Sequence, residues 1–205
     1  MARAWAVVPA AGSGRRMGAS TAKQYLPLRG RPLLAHSLAP LLRCPRIEAL
    51  ILVIAAGDTR WQEAVAPGPR IFTAPGGAER CHSVLSGLKA LAERAAADDW
   101  VLVHDAARPC LSAADLDALF AEIGDDPVGG LLALPLADTL KQADDEHRVA
   151  ATVSREGLWR ALTPQMFRYG LLCDALEAAV AAGEPVTDEA AAMERAGDRP
   201  ALVAG

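Results

Sequence analysis

Aromatic side chains are scarce in this sequence of 205 residues: four Trp, three Phe and two Tyr make up 4% of it. Apolar residues nevertheless reach 52%, much of that alanine, so helices and small-residue packing are expected in a sizeable core. An excess of positive charge is also lacking. The 21 Lys and Arg face 25 Asp and Glu, a formal net charge of −4, which argues against a nucleic-acid groove or an anionic membrane surface as partner. No C-x-x-C pair exists. Cys44, Cys81, Cys110 and Cys173 stand far apart, which fits neither a zinc cluster nor a dense disulfide framework, and reduced thiols are expected. None of His36, His82, His104 and His147 has a metal-ligand partner at helical spacing, so no protein-ligated metal is expected. The best apolar run, Ala49 to Ala56, falls well short of the ~20 residues that a transmembrane helix needs. The N-terminal apolar stretch is short, contains Pro9 and runs into a Gly-rich basic segment, unlike a signal peptide. A cytoplasmic protein is expected.

What is there is an alternation of short β-type runs with helical patterns, the mark of an α/β domain with a mostly parallel sheet. Strands are expected at Ala4–Val8, Ala49–Ala55, Arg70–Thr73, Trp100–His104, Gly129–Leu134 and from Ala201. Pro32 can open a helix in which Leu33, Leu34, Leu38, Leu41 and Leu42 recur at helical spacing. Further helices are expected after a cap at Asp58, over Ser83–Ala96, from Ser112 towards Ile123, over Tyr169–Ala182, and from Thr187 to a stop at Gly197. Asp115 stands where a full capping box has glutamate. Residues 138–153 are polar and charged with β-branched flanks, and read as a hairpin projecting from a single domain spanning 1–205.

The first strand runs into Pro9-Ala10-Ala11-Gly12-Ser13-Gly14-Arg15-Arg16-Met17, a candidate phosphate cradle. Small residues let backbone N–H groups approach an anion, and arginines add charge and forked donors. The glycine spacing is neither that of a Walker A loop nor, with Met17 in the third position, that of a dinucleotide fingerprint. A plain strand-to-loop turn with solvated arginines remains the bland alternative. Lys23, one of only three lysines beside Lys89 and Lys141, stands just beyond and can meet the same anion. Gly76-Gly77-Ala78-Glu79-Arg80 before the Ser83 helix offers backbone groups and a hydroxyl to a flat base. His104-Asp105-Ala106-Ala107-Arg108-Pro109 follows the fourth strand, and His104 itself reads as a satisfied core histidine. In a parallel sheet, loops after strand carboxyl ends gather along one edge, so these three segments are expected to share a crevice.

These blocks, together with Lys23-Gln24-Tyr25, Asp138-Thr139-x-Lys141, Arg155-x-x-Leu158-Trp159, Leu162-Thr163-Pro164-Gln165 and Thr187-Asp188-Glu189-Ala190, resemble the 2-C-methyl-D-erythritol 4-phosphate cytidylyltransferases in order along essentially the whole chain. The resemblance implies a Rossmann-like nucleotidyltransferase sheet, mostly parallel, whose β-arm meets a twofold partner. It implies transfer of CMP from CTP to methylerythritol phosphate with release of pyrophosphate, in isoprenoid synthesis, with Mg²⁺ bound mainly through the CTP phosphates. Carried over, it assigns Ala10, Ala11, Gly12, Gly14, Gly77, Ser83, Asp105 and Ala106 to the nucleotide. Arg16, Lys23 and Arg155 become the catalytic cations, with Arg108, Thr139, Thr163 and Thr187 at the sugar-alcohol phosphate. A phosphate monoester is already a competent nucleophile, so the protein must position two polyanions in line and neutralise charge, and no nucleophile–histidine–acid triad is required. The family continues past the strand near Leu202 into a segment with a substrate-binding lysine, a strand and a helix. Here the sequence stops at Gly205, and the end of the family's domain is expected to be missing. A cytidylyltransferase for a polyol phosphate such as ribitol 5-phosphate, or a non-catalytic CTP-binding module, are the competing readings.

Overall fold

The computed structural model describes residues 2–12, 21–183 and 186–205. In chain order the strands and helices are β1 (Ala4–Pro9), β2 (Pro27–Leu28), β3 (Arg31–Pro32), α1 (Leu33–Arg43), β4 (Ile47–Ile54), α2 (Trp61–Ala64), β5 (Ile71–Pro75), α3 (Arg80–Lys89), β6 (Trp100–Val103) and α4 (Ala113–Ile123). There follow β7 (Gly129–Pro135), β8 (Leu140–Ala143), β9 (Val149–Val153), β10 (Trp159–Arg168), α5 (Tyr169–Ala181), α6 (Glu189–Arg195) and β11 (Ala201–Ala204). Seven strands form one sheet in the order β11-β7-β10-β6-β1-β4-β5. All its pairs are parallel except those of β10, which runs antiparallel to both β6 and β7.

The central strands are apolar runs because both faces are covered. Ala6, Val8, Leu50, Leu52 and Leu102 meet Leu34, Leu38 and Leu41 of α1 and Leu116, Leu119 and Ile123 of α4. The alternate residues Val7, Ile51, Val53, Val101 and Val103 meet Val84 and Leu88 of α3, Leu172 and Leu176 of α5, and Met193 of α6. Helix α3 lies very close to the sheet: a Cβ on Gly87 would stand 2.6 Å from Val7 Cγ1 and 2.9 Å from Val53 Cγ2.

Most expected strands are present, with differences at the edges of elements. Helix α3 begins at Arg80 and ends at Lys89, where Ser83–Ala96 was expected; tight turns occupy residues 91–94. Asp58 does not cap α2. Its carboxylate instead accepts from the Tyr25 hydroxyl and the Arg60 N–H, and the helix is a single turn. Ser112 and Asp115 do form a reciprocal capping box on α4, aspartate reaching back as glutamate would. Strand β10 was not expected. The arm is a separate two-stranded sheet, β8 against β9, whose turn is held by Asp144 Oδ1 accepting from the N–H groups of Glu146 and Arg148.

Candidate active site

Strands β1, β4, β5 and β6 are parallel, so their carboxyl ends and the following loops lie along one edge of the sheet. After β1, the Ala10 N–H donates to the Val53 carbonyl at 2.7 Å, and the Ala10 carbonyl accepts from the buried Gln24 side chain at 2.7 Å. The loop therefore leaves the sheet in a fixed direction. The N–H groups of Ala11 and Gly12 find no partner among the described residues. Gly14 and Arg16 lie outside the described residues. Lys23 opens a short 3-10 turn and is exposed, with no partner for its ammonium among the described residues.

The loop after β5 touches the first one: a Cβ on Gly76 would fall 2.2 Å from the Ala11 Cβ, so glycine is required for this approach. The Gly77 N–H donates to Ser83 Oγ at 3.0 Å, and that hydroxyl donates to the Glu79 carbonyl at 3.1 Å. Ser83 is buried and its hydroxyl shapes the loop before α3.

After β6, Asp105 is fixed from several sides. Arg80 reaches its Oδ1 with Nε and Nη2 at 3.2 and 3.1 Å, and Arg108 Nε reaches its Oδ2 at 2.8 Å. Arg80 also forks onto Glu189, with Nη1–Oε1 2.6 Å and Nη2–Oε2 3.0 Å. Burial pushes the Asp105 carboxyl up, but Arg80 and Arg108 outweigh it and hold it below the ordinary carboxylate value. Glu189 is buried in α6, and that burial pushes its carboxyl up against the pull of Arg80. The second guanidinium face of Arg108, Nη1 and Nη2, has no partner among the described residues.

The backbone of this loop is fixed from beneath. Antiparallel pairing of Gln165 with Val103 carries Thr163 of β10 past the end of β6, opposite Asp105. His104 Nε2 lies 3.1 Å from the Arg108 carbonyl, so it carries the proton and Nδ1 is the acceptor. The Thr163 hydroxyl, 2.9 Å from Nδ1, donates to it and accepts from the Asp105 N–H at 3.3 Å. Burial holds the His104 imidazole down at about 4, neutral at pH 7. Though a hydroxyl beside an imidazole suggests a nucleophile and its base, both groups are buried and both Thr163 bonds serve the loop.

Buried Gln165 sets the start of α6. Its Nε2 donates to Asp188 Oδ2 at 2.9 Å, and its Oε1 accepts from the Ala190 N–H at 2.8 Å, while Asp188 Oδ1 caps the helix through the Ala191 N–H. Exposed Thr187 precedes that cap. Ala106 is buried beside Asp105. The structure thus gathers Ala10, Ala11, Gly12, Gly77, Ser83, Asp105, Ala106, Arg108 and Thr163 on the loops of one edge and its supports. Thr139 and Arg155 stay apart. Both are exposed at the base of the arm, Arg155 donating to the Ala137 carbonyl, and no hydrogen bond joins either to the Asp105 network among the described residues.

Four supports were not singled out from sequence: Arg80, Glu189, Gln24 and Gln165. Each stands within a recognisable block, but its partner lies elsewhere in the chain; Arg80 and Glu189 are 109 residues apart. A cavity of about 370 Å³ lined by His104, Arg108, Leu111, Leu132, Leu162 and Thr163 adjoins the Asp105 loop. A hollow of about 620 Å³ near Ala97, Arg168 and Asp174 lies at the other edge, where β6 begins, away from these loops. Glu79, Cys81 and His82 bring ligand atoms within 4.8 Å of one another, a grouping that a search at helical spacing misses. They sit at the N-terminal end of α3, whose dipole opposes a cation.

The sequence matches the family model for 2-C-methyl-D-erythritol 4-phosphate cytidylyltransferase over residues 4–205. It is 58% identical to the protein of that name from Dechloromonas aromatica, covering 100% of this chain and 90% of the relative. It is 53% identical to the one from Azoarcus sp., covering 99% and 86%. The fold superposes on a crystal structure of a 4-diphosphocytidyl-2C-methyl-D-erythritol synthase with a TM-score of 0.86 and 37% identity, covering 100% and 90% of the two chains. For the Francisella tularensis 2-C-methyl-D-erythritol 4-phosphate cytidylyltransferase the TM-score is 0.82 and the identity 32%, over 99% and 90%. With so long a match, and with the family's loops assembled at one sheet edge, the chain belongs to the 2-C-methyl-D-erythritol 4-phosphate cytidylyltransferase family.

Proposed function

We propose that this chain transfers CMP from CTP to the phosphate of 2-C-methyl-D-erythritol 4-phosphate, giving 4-diphosphocytidyl-2-C-methyl-D-erythritol and pyrophosphate for isoprenoid precursor synthesis. The carrying observation is the sheet edge itself. The Ala11 and Gly12 amides, Nη1 and Nη2 of Arg108 and the Lys23 ammonium, without partners among the described residues, are donors suited to phosphate.

An acceptor phosphate oxygen attacks the α-phosphorus of CTP. One P–O bond forms, the α–β bridging P–O bond breaks, and pyrophosphate leaves with the electron pair. Thr163 and His104 need exchange no proton with the substrates, because the attacking oxygen is already anionic. The chain's work is to place the two phosphates in line and to meet charge that grows on the α-phosphoryl and the leaving group. Ala11, Gly12, Gly77 and Gly14 form the nucleotide side, with Ser83 setting the loop around the base. Asp105 and Ala106 stand beside it. Arg16 and Lys23 meet the triphosphate; Arg108 and Thr187 face the acceptor, and Thr163 holds the Asp105 loop from beneath.

Mg²⁺ fits this edge as a companion of the CTP phosphates. Both Asp105 oxygens are engaged by arginines and Glu189 is buried on Arg80, so the described residues build no acidic cage. The CTP phosphates would hold the ion, with the arginine-bound Asp105 beside them, and it would supply further neutralisation of their charge.

The chain is read as one domain with an arm that pairs in a homodimer. Val149 is 65% exposed on the arm, and Val153, Leu158 and Trp159 are exposed at its base. A two-stranded sheet is marginal alone, and a twofold copy is the simplest cover for such a surface. Thr139 and Arg155 then serve the neighbour's acceptor site. The free cysteines accord with a cytoplasmic location. Among the described residues no helix is long and apolar enough to cross a membrane.

The test is pyrophosphate release by the full-length enzyme with CTP or UTP and with methylerythritol phosphate or ribitol 5-phosphate. Release confined to CTP and methylerythritol phosphate is expected, and equal release with ribitol 5-phosphate would overturn the acceptor assignment.

A further inference from the structure

We infer that Arg80 and Glu189 are positioning residues for the acceptor: their ion pair fixes the Asp105 carboxylate and, through it, the direction in which Arg108 presents its free guanidinium face. The inference rests on the proposed reaction and names a determinant of its acceptor side.

Arg80 opens α3, directly after the Gly77 loop, yet its guanidinium leaves that loop and spans two carboxylates from distant parts of the chain. Glu189 is 1% exposed, begins α6, and follows Thr187 by two residues. Asp105 is gripped on one oxygen by Arg80 and on the other by Arg108. One planar fork thus joins the nucleotide-side loop, the Asp105–Arg108 loop and the start of α6, just after Thr187.

An ion pair with one partner buried is weak evidence for stability, because desolvation of Glu189 offsets the attraction. What a forked, fully bonded pair does supply is direction, since guanidinium and carboxylate meet in a fixed plane. Arg108 Nε is committed to Asp105 Oδ2, so the orientation of Asp105 decides where Nη1 and Nη2 point. The four side chains are also neutral as a set, two arginines against two acids. They attract an incoming phosphate by geometry rather than by net charge.

That neutrality separates positioning from simple electrostatics. Glu189→Gln leaves the set one unit positive. If charge alone mattered, the acceptor KM would fall and kcat would hold. If the fork positions Asp105, kcat/KM for methylerythritol phosphate falls about tenfold or more, as misplacement of a binding group does. The KM for CTP then changes less than that for the acceptor, because the Ala11 and Gly12 amides are untouched. Arg80→Lys keeps the charge, loses the fork and is expected to show the same split.

The experiment is steady-state kinetics on the full-length wild type, Glu189→Gln and Arg80→Lys, varying each substrate at saturating levels of the other, with thermal unfolding of all three. The wild type reads the reaction itself: no pyrophosphate from CTP and methylerythritol phosphate overturns that reaction and this inference together. With an active wild type, the acceptor-specific loss in both variants supports the fork. Wild-type kinetics in Arg80→Lys, a lower acceptor KM in Glu189→Gln, or equal losses for both substrates overturns it. The two variants change different partners of one pair, so a melted protein in one leaves the other to decide.

Discussion

At the scale of the residue, the Asp105 loop depends on a short chain of hydrogen bonds: the Asp105 N–H to Thr163, Thr163 to His104, and His104 to the Arg108 carbonyl. Thr163→Val keeps the shape and orphans a buried donor and a buried acceptor. A loss of about 1–3 kcal/mol in urea unfolding is expected, with Thr163→Ser losing far less. The same histidine gives a pH signature. Its pKa is about 4 folded and ~6.5 unfolded, so the unfolded chain binds more protons between those values. Stability from this group is fully present above about pH 6.5 and is lost as pH falls towards 4, by up to about 3 kcal/mol. The hydrogen bond to the Arg108 carbonyl and the Asp105 charge raise the imidazole pKa and the Arg108 charge lowers it, each less than burial does. The depressed carboxylates Asp99 and Asp105 lose their contribution only below their unfolded pKa of ~3.9, so the windows separate. Buried Glu189, pushed up, acts in the opposite sense, so the stability difference between wild type and His104→Gln is the quantity expected to shrink as pH falls from 7 to 4.

At the scale of the element, alanine is expected to destabilise two helices for different reasons, overpacking in one and a lost cap in the other. Alanine is the better helix former by about 1 kcal/mol at Gly87. The added Cβ, however, meets stiff, branched Val7 and Val53 on central strands, both inside 3.0 Å. Overpacking of this kind costs about 1–3 kcal/mol, so Gly87→Ala is expected to lower the unfolding midpoint. Ser112→Ala removes the α4 cap and is expected to cost about 1 kcal/mol in urea unfolding. These cases show how much the sequence reveals. Parallel strands such as β4 and β6 were legible because burial on both faces leaves an unbroken apolar run. Strand β10 was not, because Pro164 interrupts it and its register shifts between Ala161 and Gln165. The start of α3 was hidden because Glu79 provides no side-chain cap. The candidate-site loops were legible as composition, glycine and charge after a strand. The Arg80–Glu189 fork was not, since nothing local in either segment points to a partner 109 residues away.

At the scale of the whole molecule, the account needs two copies and one reaction. If Thr139 and Arg155 at the base of one arm serve the neighbour's site, mixed dimers of Lys23→Ala with Arg155→Ala contain one site with both groups intact. Activity is expected to return in part on mixing the two full-length variants, each poorly active alone. No return would confine each site to one subunit. Lys23→Ala by itself is expected to lower kcat by ~10²–10³, the usual cost of one preorganised donor to transition-state charge, with CTP binding little changed. The most direct measurement follows phosphorus through a single reaction of the full-length enzyme with CTP, Mg²⁺ and methylerythritol phosphate by ³¹P NMR. The account requires the monoester signal to disappear as two diphosphate species grow in equal amounts, free pyrophosphate and the cytidylyl adduct. A persistent monoester signal, or pyrophosphate appearing with free CMP instead of the adduct, would contradict it.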